Sequence, residues 1–190
     1  MRNFKFGLIL AVLLVLMSGC TLDDSGPFPE EVPSTTVLFQ SGFESNGAPD
    51  LISWHLYYEA VNWGNDTLVS ASCANGGSFA LNLEADRLQR SYAEAFITQL
   101  SGPRVMLLSF KAMLFSGQNS ITATLAQIRG GTVLRENEFA LGTWNDCLDF
   151  GMTANMDLMP TDSVRIRFVA SGSSYERSQV QVDEVMLKMQ

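Results

Sequence analysis

The chain has 190 residues, 46% of them hydrophobic, with 12 Lys and Arg against 20 Asp and Glu and a formal charge of −8 at pH 7. Ample Phe, Leu and Val beside that charge describe a well-cored domain and exclude a disordered one. The acidic balance argues against nucleic acid and against docking on an acidic bilayer. With one histidine and no Cys-x-x-Cys, a zinc site is not expected either.

Arg2 and Lys5 lead into an apolar run from Phe6 to Met17, then Ser18-Gly19-Cys20. A basic start, a short apolar core and small residues before a cut site predict a secretory signal over residues 1–19, too short for a permanent span. Leu16-Met17-Ser18-Gly19-Cys20 resembles a bacterial lipobox, which implies cleavage before Cys20 and lipidation (palmitate among the acyl groups) of that cysteine. Thr21 after the cysteine resembles lipoproteins that leave the inner membrane, so the implied location is the outer membrane, facing the periplasm or the surface. Residues 20–35, with Pro27, Pro29 and Pro33 among Asp, Ser, Gly, Glu and Thr, predict an extended spacer.

Residues 36–190 suit one domain. Val37, Phe39 and Phe43 predict a first strand broken near Ser41-Gly42. Phe79, Leu81 and Leu83 alternate with Ala80, Asn82 and Glu84 after the turn residues Asn75-Gly76-Gly77. Glu84 to Ala95 is the one helix candidate, and its apolar spacing is poor. Met106, Leu108, Phe110, Ala112 and Leu114 predict a long central strand. Ile121, Ala123 and Leu125 follow, and Gly130-Gly131 predicts a tight hairpin turn. Trp144, Leu148 and Phe150 come next, then Val164, Ile166 and Phe168 alternating with Arg165 and Arg167. In the last strand Val180 and Val182 alternate with glutamines, but apolar positions resume out of phase at Val185, Leu187 and Met189. A β-bulge at Asp183-Glu184 would produce that slip. The class predicted is all-β, an antiparallel sandwich.

The pieces "FQSGFESNGAPDLISW", "NGGSFALNLEA", "VMLLSFKAML", "LGTWNDCLDF" and "VQVDEVML" occur in that order. Their order and spacing resemble the jelly-roll carbohydrate-binding modules of the galactose-binding-like superfamily, in particular the cellulose- and xylan-binding group, over nearly all of residues 37–189. The resemblance implies a structural calcium held by Glu44, by backbone near Asn75 and Gly76, and by Asp183. Ca²⁺ takes six to eight oxygens, which carboxylates and loop carbonyls supply. The alternative is that Asp183 and Glu184 sit solvated at a bulge with no ion. No organic cofactor is expected.

Sugar recognition in such folds rests on aromatic rings that stack on pyranose faces. "SWHLYYEAVNW" holds Trp54, Tyr57, Tyr58 and Trp63 around His55, and Tyr175 sits in the loop "SGSSYERS". Trp54 and Trp144 are assigned to the core, and Tyr57, Tyr58, Trp63 and Tyr175 are the candidate ligand-binding rings. Arg165 and Arg167, on the outward side of their strand, could hydrogen-bond a ligand, but are expected as ordinary solvated charges on an acidic protein. Cys73 and Cys147 suit either a disulfide in an exported protein or two buried thiols. Catalysis finds little support, since a Ser–His–Asp system would depend on His55 and no Gly-x-Ser-x-Gly elbow occurs. The sequence therefore predicts a membrane-anchored, non-catalytic binding module for carbohydrate or another extracellular polymer. Its alternative is a structural lipoprotein that packs on a protein partner.

Overall fold

The computed structural model describes residues 34–58, 67–70, 79–85, 89–116, 121–141, 146–172 and 178–190. The signal and spacer, Cys20, Trp63, Cys73, Asn75, Gly76, Trp144 and Tyr175 lie outside them. The described residues belong to one compact unit, Ser34–Gln190.

The described residues of this unit form thirteen strands. They are β1 (Thr36–Ser41), β2 (Glu44–Ser45), β3 (Ala48–Pro49), β4 (His55–Tyr58), β5 (Thr67–Ser70), β6 (Phe79–Ala85), β7 (Arg90–Ile97), β8 (Gly102–Ser116), β9 (Ile121–Arg129), β10 (Thr132–Leu141), β11 (Leu148–Leu158), β12 (Asp162–Ser171) and β13 (Ser178–Met189). The first sheet runs β11-β8-β13-β6-β5, with β1 also paired to β13, and the second runs β10-β9-β12-β7-β4. All pairings are antiparallel. The helix candidate over Glu84–Ala95 resolves into strand at both ends. Ser91, Ala93 and Ala95 turn inward while Tyr92, Glu94 and Phe96 turn outward, the alternation that a pleat imposes.

Between the sheets lies a core that both supply. Leu81, Leu83, Met106, Leu108, Val180, Val182 and Leu187 come from the first sheet, and Leu125, Val164, Ile166 and Phe168 from the second. Phe110 meets Phe168 edge-on across the sandwich at 4.9 Å, and Phe168 also meets Trp54 at 5.8 Å. Trp54 is buried, as the family resemblance implies, and its Nε1–H donates to Ser41 Oγ at 3.0 Å. The β9–β10 hairpin turns at Gly130–Gly131, both at positive φ, where a residue with a side chain would be strained.

The phase slip in the last strand has a topological cause. β6 pairs β13 from Ser178 to Val182, and β1 pairs the same edge from Val185 to Met189. The bulge falls where β13 changes partner. On its other edge Asp183 faces Lys111 and Met186 faces Ser109, so Glu184 and Val185 together oppose a single residue of β8. Glu184 adopts a left-handed backbone (φ 48°). The extra residue returns Val185 and Leu187 to the core face, and both are fully buried.

Candidate functional site

Three groups of side chains stand out against the hydrophobic core. The first covers the outward face of the second sheet. Tyr57 on β4 lies directly opposite Tyr92 on β7, and their rings stack at 5.0 Å with an interplanar angle of 20°. The guanidinium carbon of Arg167 sits over the Tyr92 ring at 5.0 Å from its centre, within cation–π range. One row further along the strands, His55 and Phe96 approach at 6.2 Å. Tyr57 and Phe96 are 42% and 43% exposed, so the face presents apolar ring surface to solvent at two places on the same pair of strands.

Between and beside the rings lies a charged network. Glu94 Oε1 accepts from the Arg167 guanidinium and from Arg165 at 3.3 Å, and Arg165 reaches across β9 to Glu136 at 2.9 Å. Arg165 is only 8% exposed and Glu94 5%. The expectation of two ordinary solvated arginines is thereby corrected. Glu94 on the neighbouring β7 and Glu136 on β10, beyond β9, match Arg165, and ion-paired charges tolerate burial that single ones do not. Arg165 Nε and Thr124 Oγ1, on adjacent strands of this face, are buried without a hydrogen-bond partner among the described residues. Such atoms can satisfy themselves with the hydroxyl of a bound molecule or with water.

Of the four rings predicted to bind ligand, the structure places Tyr57 on this face. Tyr58 continues β4 opposite Ser91, but its side chain is not among those described. Trp63 and Tyr175 lie outside the described residues. Tyr92, Glu94 and Phe96 are additions that the alternation of "RSYAEAFI" could have revealed, once read with a period of two.

At the bulge, the second group gathers Asp183, Glu184, Lys111 and Glu44. Asp183 is 2% exposed, and its Oδ1 accepts the backbone N–H of Glu184 at 2.7 Å. Burial raises its pKa to about 6 against that hydrogen bond, and the neighbouring charges of Glu184 and Glu44 add to the rise. Lys111 Nζ pairs with Glu184 at 2.8 Å, which raises the lysine's pKa. The structure thus brings Glu44 within electrostatic reach of Asp183. The expected calcium donors fit in chemistry, as two carboxylates, one of them buried. No group of three or more His, Cys, Asp or Glu suited to a metal occurs among the described residues, so further oxygens would have to come from backbone or water. Asn75 and Gly76 lie outside what is described. Cys147 is engaged in a disulfide, and Cys73 lies outside the described residues.

A third polar cluster has a structural role. Asp162, at the start of β12, accepts from Arg129 at 2.6 and 2.9 Å, from Gln127 at 2.7 Å and from the Met159 N–H at 3.0 Å. The Arg129 bond and the Met159 N–H hold its carboxyl well below the usual carboxylate range. It locks the turn that carries the chain from β11 to β12.

Comparison with solved structures identifies the architecture. The chain is similar to the enzymatically active domain of tailspike protein 4 of bacteriophage CBA120 (TM-score 0.62, 13% identity over 77% of this chain), of which it spans only 21%. A Stig cyclase from Fischerella sp. TAU gives a TM-score of 0.57 at 15% identity, covering 83% of this chain and 98% of the cyclase. The family 11 carbohydrate-binding module of Clostridium thermocellum, solved with a mixed-linked tetrasaccharide, gives 0.54 at 11% identity, covering 80% and 94%. No family model matches the sequence, and no curated protein does. The chain has the jelly-roll fold of carbohydrate-binding modules. At these identities the likeness speaks for fold alone, and the same fold carries an enzymatic tailspike domain and a cyclase.

Proposed function

We propose that this chain is a membrane-anchored, non-catalytic module that binds a carbohydrate polymer on the outward face of its second sheet. The observation that carries the reading is the Tyr57–Tyr92 stack beside the Arg167–Glu94–Arg165 network. Ring surface suits the C–H side of a pyranose, while guanidinium and carboxylate groups suit its hydroxyls. Phe96 and His55 extend the ring surface along the strands. The fold supports the reading, since the Clostridium module was solved with a bound tetrasaccharide.

Anchoring through Cys20, the lipobox cysteine, is part of the same proposal, and so is an outer-membrane location. A structural calcium held by Asp183 and Glu44 belongs to it as well. Its chemistry would be to neutralise a buried carboxylate and to tie the start of β2 to the bulge of β13. The ion would lie at the first sheet, apart from the proposed sugar face.

Binding of the chain to immobilised plant, algal and bacterial polysaccharides tests the reading, followed by titration of Tyr57→Ala and Tyr92→Ala. Loss of a stacked ring is expected to weaken retention by about tenfold, from an aromatic contact of about 1 kcal/mol plus lost apolar burial. Retention by no glycan, with the fold intact, would turn the reading toward a protein partner. Turnover of a retained glycan would make it an enzyme.

A further inference from the structure

An aromatic ring has two faces, and on the second sheet neighbouring side chains take up most of them. The order β12-β7-β4 places Tyr92, on β7, between a strand that carries Arg167 and a strand that carries Tyr57. Tyr57 stacks on Tyr92 from the β4 side, at 5.0 Å with the planes 20° apart. Arg167 comes from the β12 side, and its guanidinium carbon lies over the Tyr92 ring at 5.0 Å from the centre. Both faces of Tyr92 are therefore occupied, and a sugar can reach only the rim of that ring. Tyr57 is covered on one face alone. Its other face looks past β4, the last strand of this sheet among the described residues, and the residue is 42% exposed.

Arg167 is fixed from a second direction as well. Its guanidinium donates to Oε1 of Glu94, the residue directly opposite it on β7. Glu94 is buried and is held in turn by Arg165 at 3.3 Å. Contacts thus run from Arg165 through Glu94, Arg167 and Tyr92 to Tyr57, and they end at the one open tyrosine face. Phe96 meets His55 at 6.2 Å and 60°, and it stands outside this stack.

We propose that the outer face of Tyr57 is the surface on which a pyranose stacks, and that Tyr92 and Arg167 are positioning residues that hold this face without stacking on the sugar themselves. The inference rests on the reading of this sheet face as a carbohydrate site, and it specifies which ring makes the contact. A sugar stacks through its C–H side on an aromatic face, so a face already covered by a ring or a guanidinium has nothing to offer it. Tyr57 stands on an edge strand and lacks the packing that would fix its rotamer in a core. Tyr92 supplies a backing plane for it, and the cation over the far side of Tyr92 holds that plane upright. Fixing one such side chain before binding removes an ordering cost that would otherwise weaken the complex about fivefold. The buried Glu94 carboxylate contributes by fixing Arg167, at a distance from the sugar.

The test follows aromatic and sugar signals by NMR in the full chain. Its probes are the mixed-linked tetrasaccharide that the Clostridium module binds and methyl β-glucoside, a single pyranose, near its solubility. In the free chain the ring-current shifts of the Tyr57–Tyr92 pair should shrink in Arg167→Gln and return in Arg167→Lys, which restores the cation. With either probe, sugar C–H signals should move upfield, and Tyr57→Ala should abolish that movement. Arg167→Gln should bind about fivefold more weakly yet reach the same limiting shift, because the contact face survives. Glu94 keeps Arg165 as a counter-charge in that variant, so the fold is retained, and Arg167→Lys gives a second reading if the melt falls. Upfield sugar shifts that persist in Tyr57→Ala, or ligand-induced changes confined to Phe96 or Arg165, overturn the placement and leave sugar binding standing. Where another polysaccharide is the one retained, Tyr57→Ala should lose retention, and equal retention overturns the placement too. An Arg167→Gln chain with unchanged affinity and unchanged ring shifts overturns the positioning role. A wild type that responds to neither probe and is retained by no polysaccharide overturns the carbohydrate reading, and the stacking surface with it.

Discussion

Asp183 tests both the physics of the bulge and the calcium proposal. Its carboxyl is buried, and its pKa rises from 3.8 to about 6. At full strength that displacement corresponds to about 3 kcal/mol. Glu184 beside it is exposed, so solvent screens part of the charge, and about 1–2 kcal/mol is the working figure. The sign follows from proton binding. Between pH 3.8 and about 6 the folded chain holds a proton that the unfolded chain has released, so stability falls as pH rises through this window. Above it the ionised carboxylate imposes the full cost, and below it none. Asp183→Asn keeps an oxygen for the Glu184 N–H and removes the charge. In a calcium chelator at pH 7.5 it should raise the melting temperature by about 3–6 °C, and at pH 3.5 by nothing measurable. Calcium should reverse the ranking. At a hundred times its dissociation constant it would stabilise wild type by about 2.7 kcal/mol and the variant far less. Melts followed by circular dichroism in chelator and in calcium decide the matter. A variant less stable than wild type in chelator at pH 7.5 refutes the burial argument, and equal calcium responses remove the ion.

Further outcomes follow from other parts of the sandwich. Phe168→Ala removes a fully buried ring that touches both Phe110 and Trp54; urea unfolding should show a loss of about 3–5 kcal/mol. Asp162→Asn should destabilise at pH 7. Because the native carboxyl has a depressed pKa, its contribution is present above pH 3.8 and fades as pH falls below, so the two chains should converge in acid. Glu94→Gln leaves buried Arg165 short of a counter-charge and should cost about 3 kcal/mol in a denaturant titration. A cost near zero there would mean that water, and not Glu94, solvates the guanidinium.

The strands were legible because their signal is local. A pleat turns successive side chains to opposite faces, so "VRIRFVA" and "VMLLSFKAM" display their buried sides within a few residues, and Gly130–Gly131 marks a hairpin by backbone freedom alone. The slip at Asp183-Glu184 was visible in the same way. Its cause was not, because the handover of β13 from β6 to β1 joins segments from opposite ends of the domain. "RSYAEAFI" misled in part because alanine and serine, small enough to let the sheets approach, carry little hydrophobic contrast on the inward side.

By itself the sequence determined the all-β class, the Gly130–Gly131 turn and the bulge, each a matter of side-chain period or backbone allowance over a few neighbouring residues, while the core role of Trp54 followed from the family resemblance. Only the tertiary structure decided that Tyr57 would stack on Tyr92 and that Arg167 would pair with Glu94 across 73 residues of chain. The physical reason is strand order. Which strands lie side by side depends on how all the apolar faces are covered at once, and no stretch of residues carries that information alone.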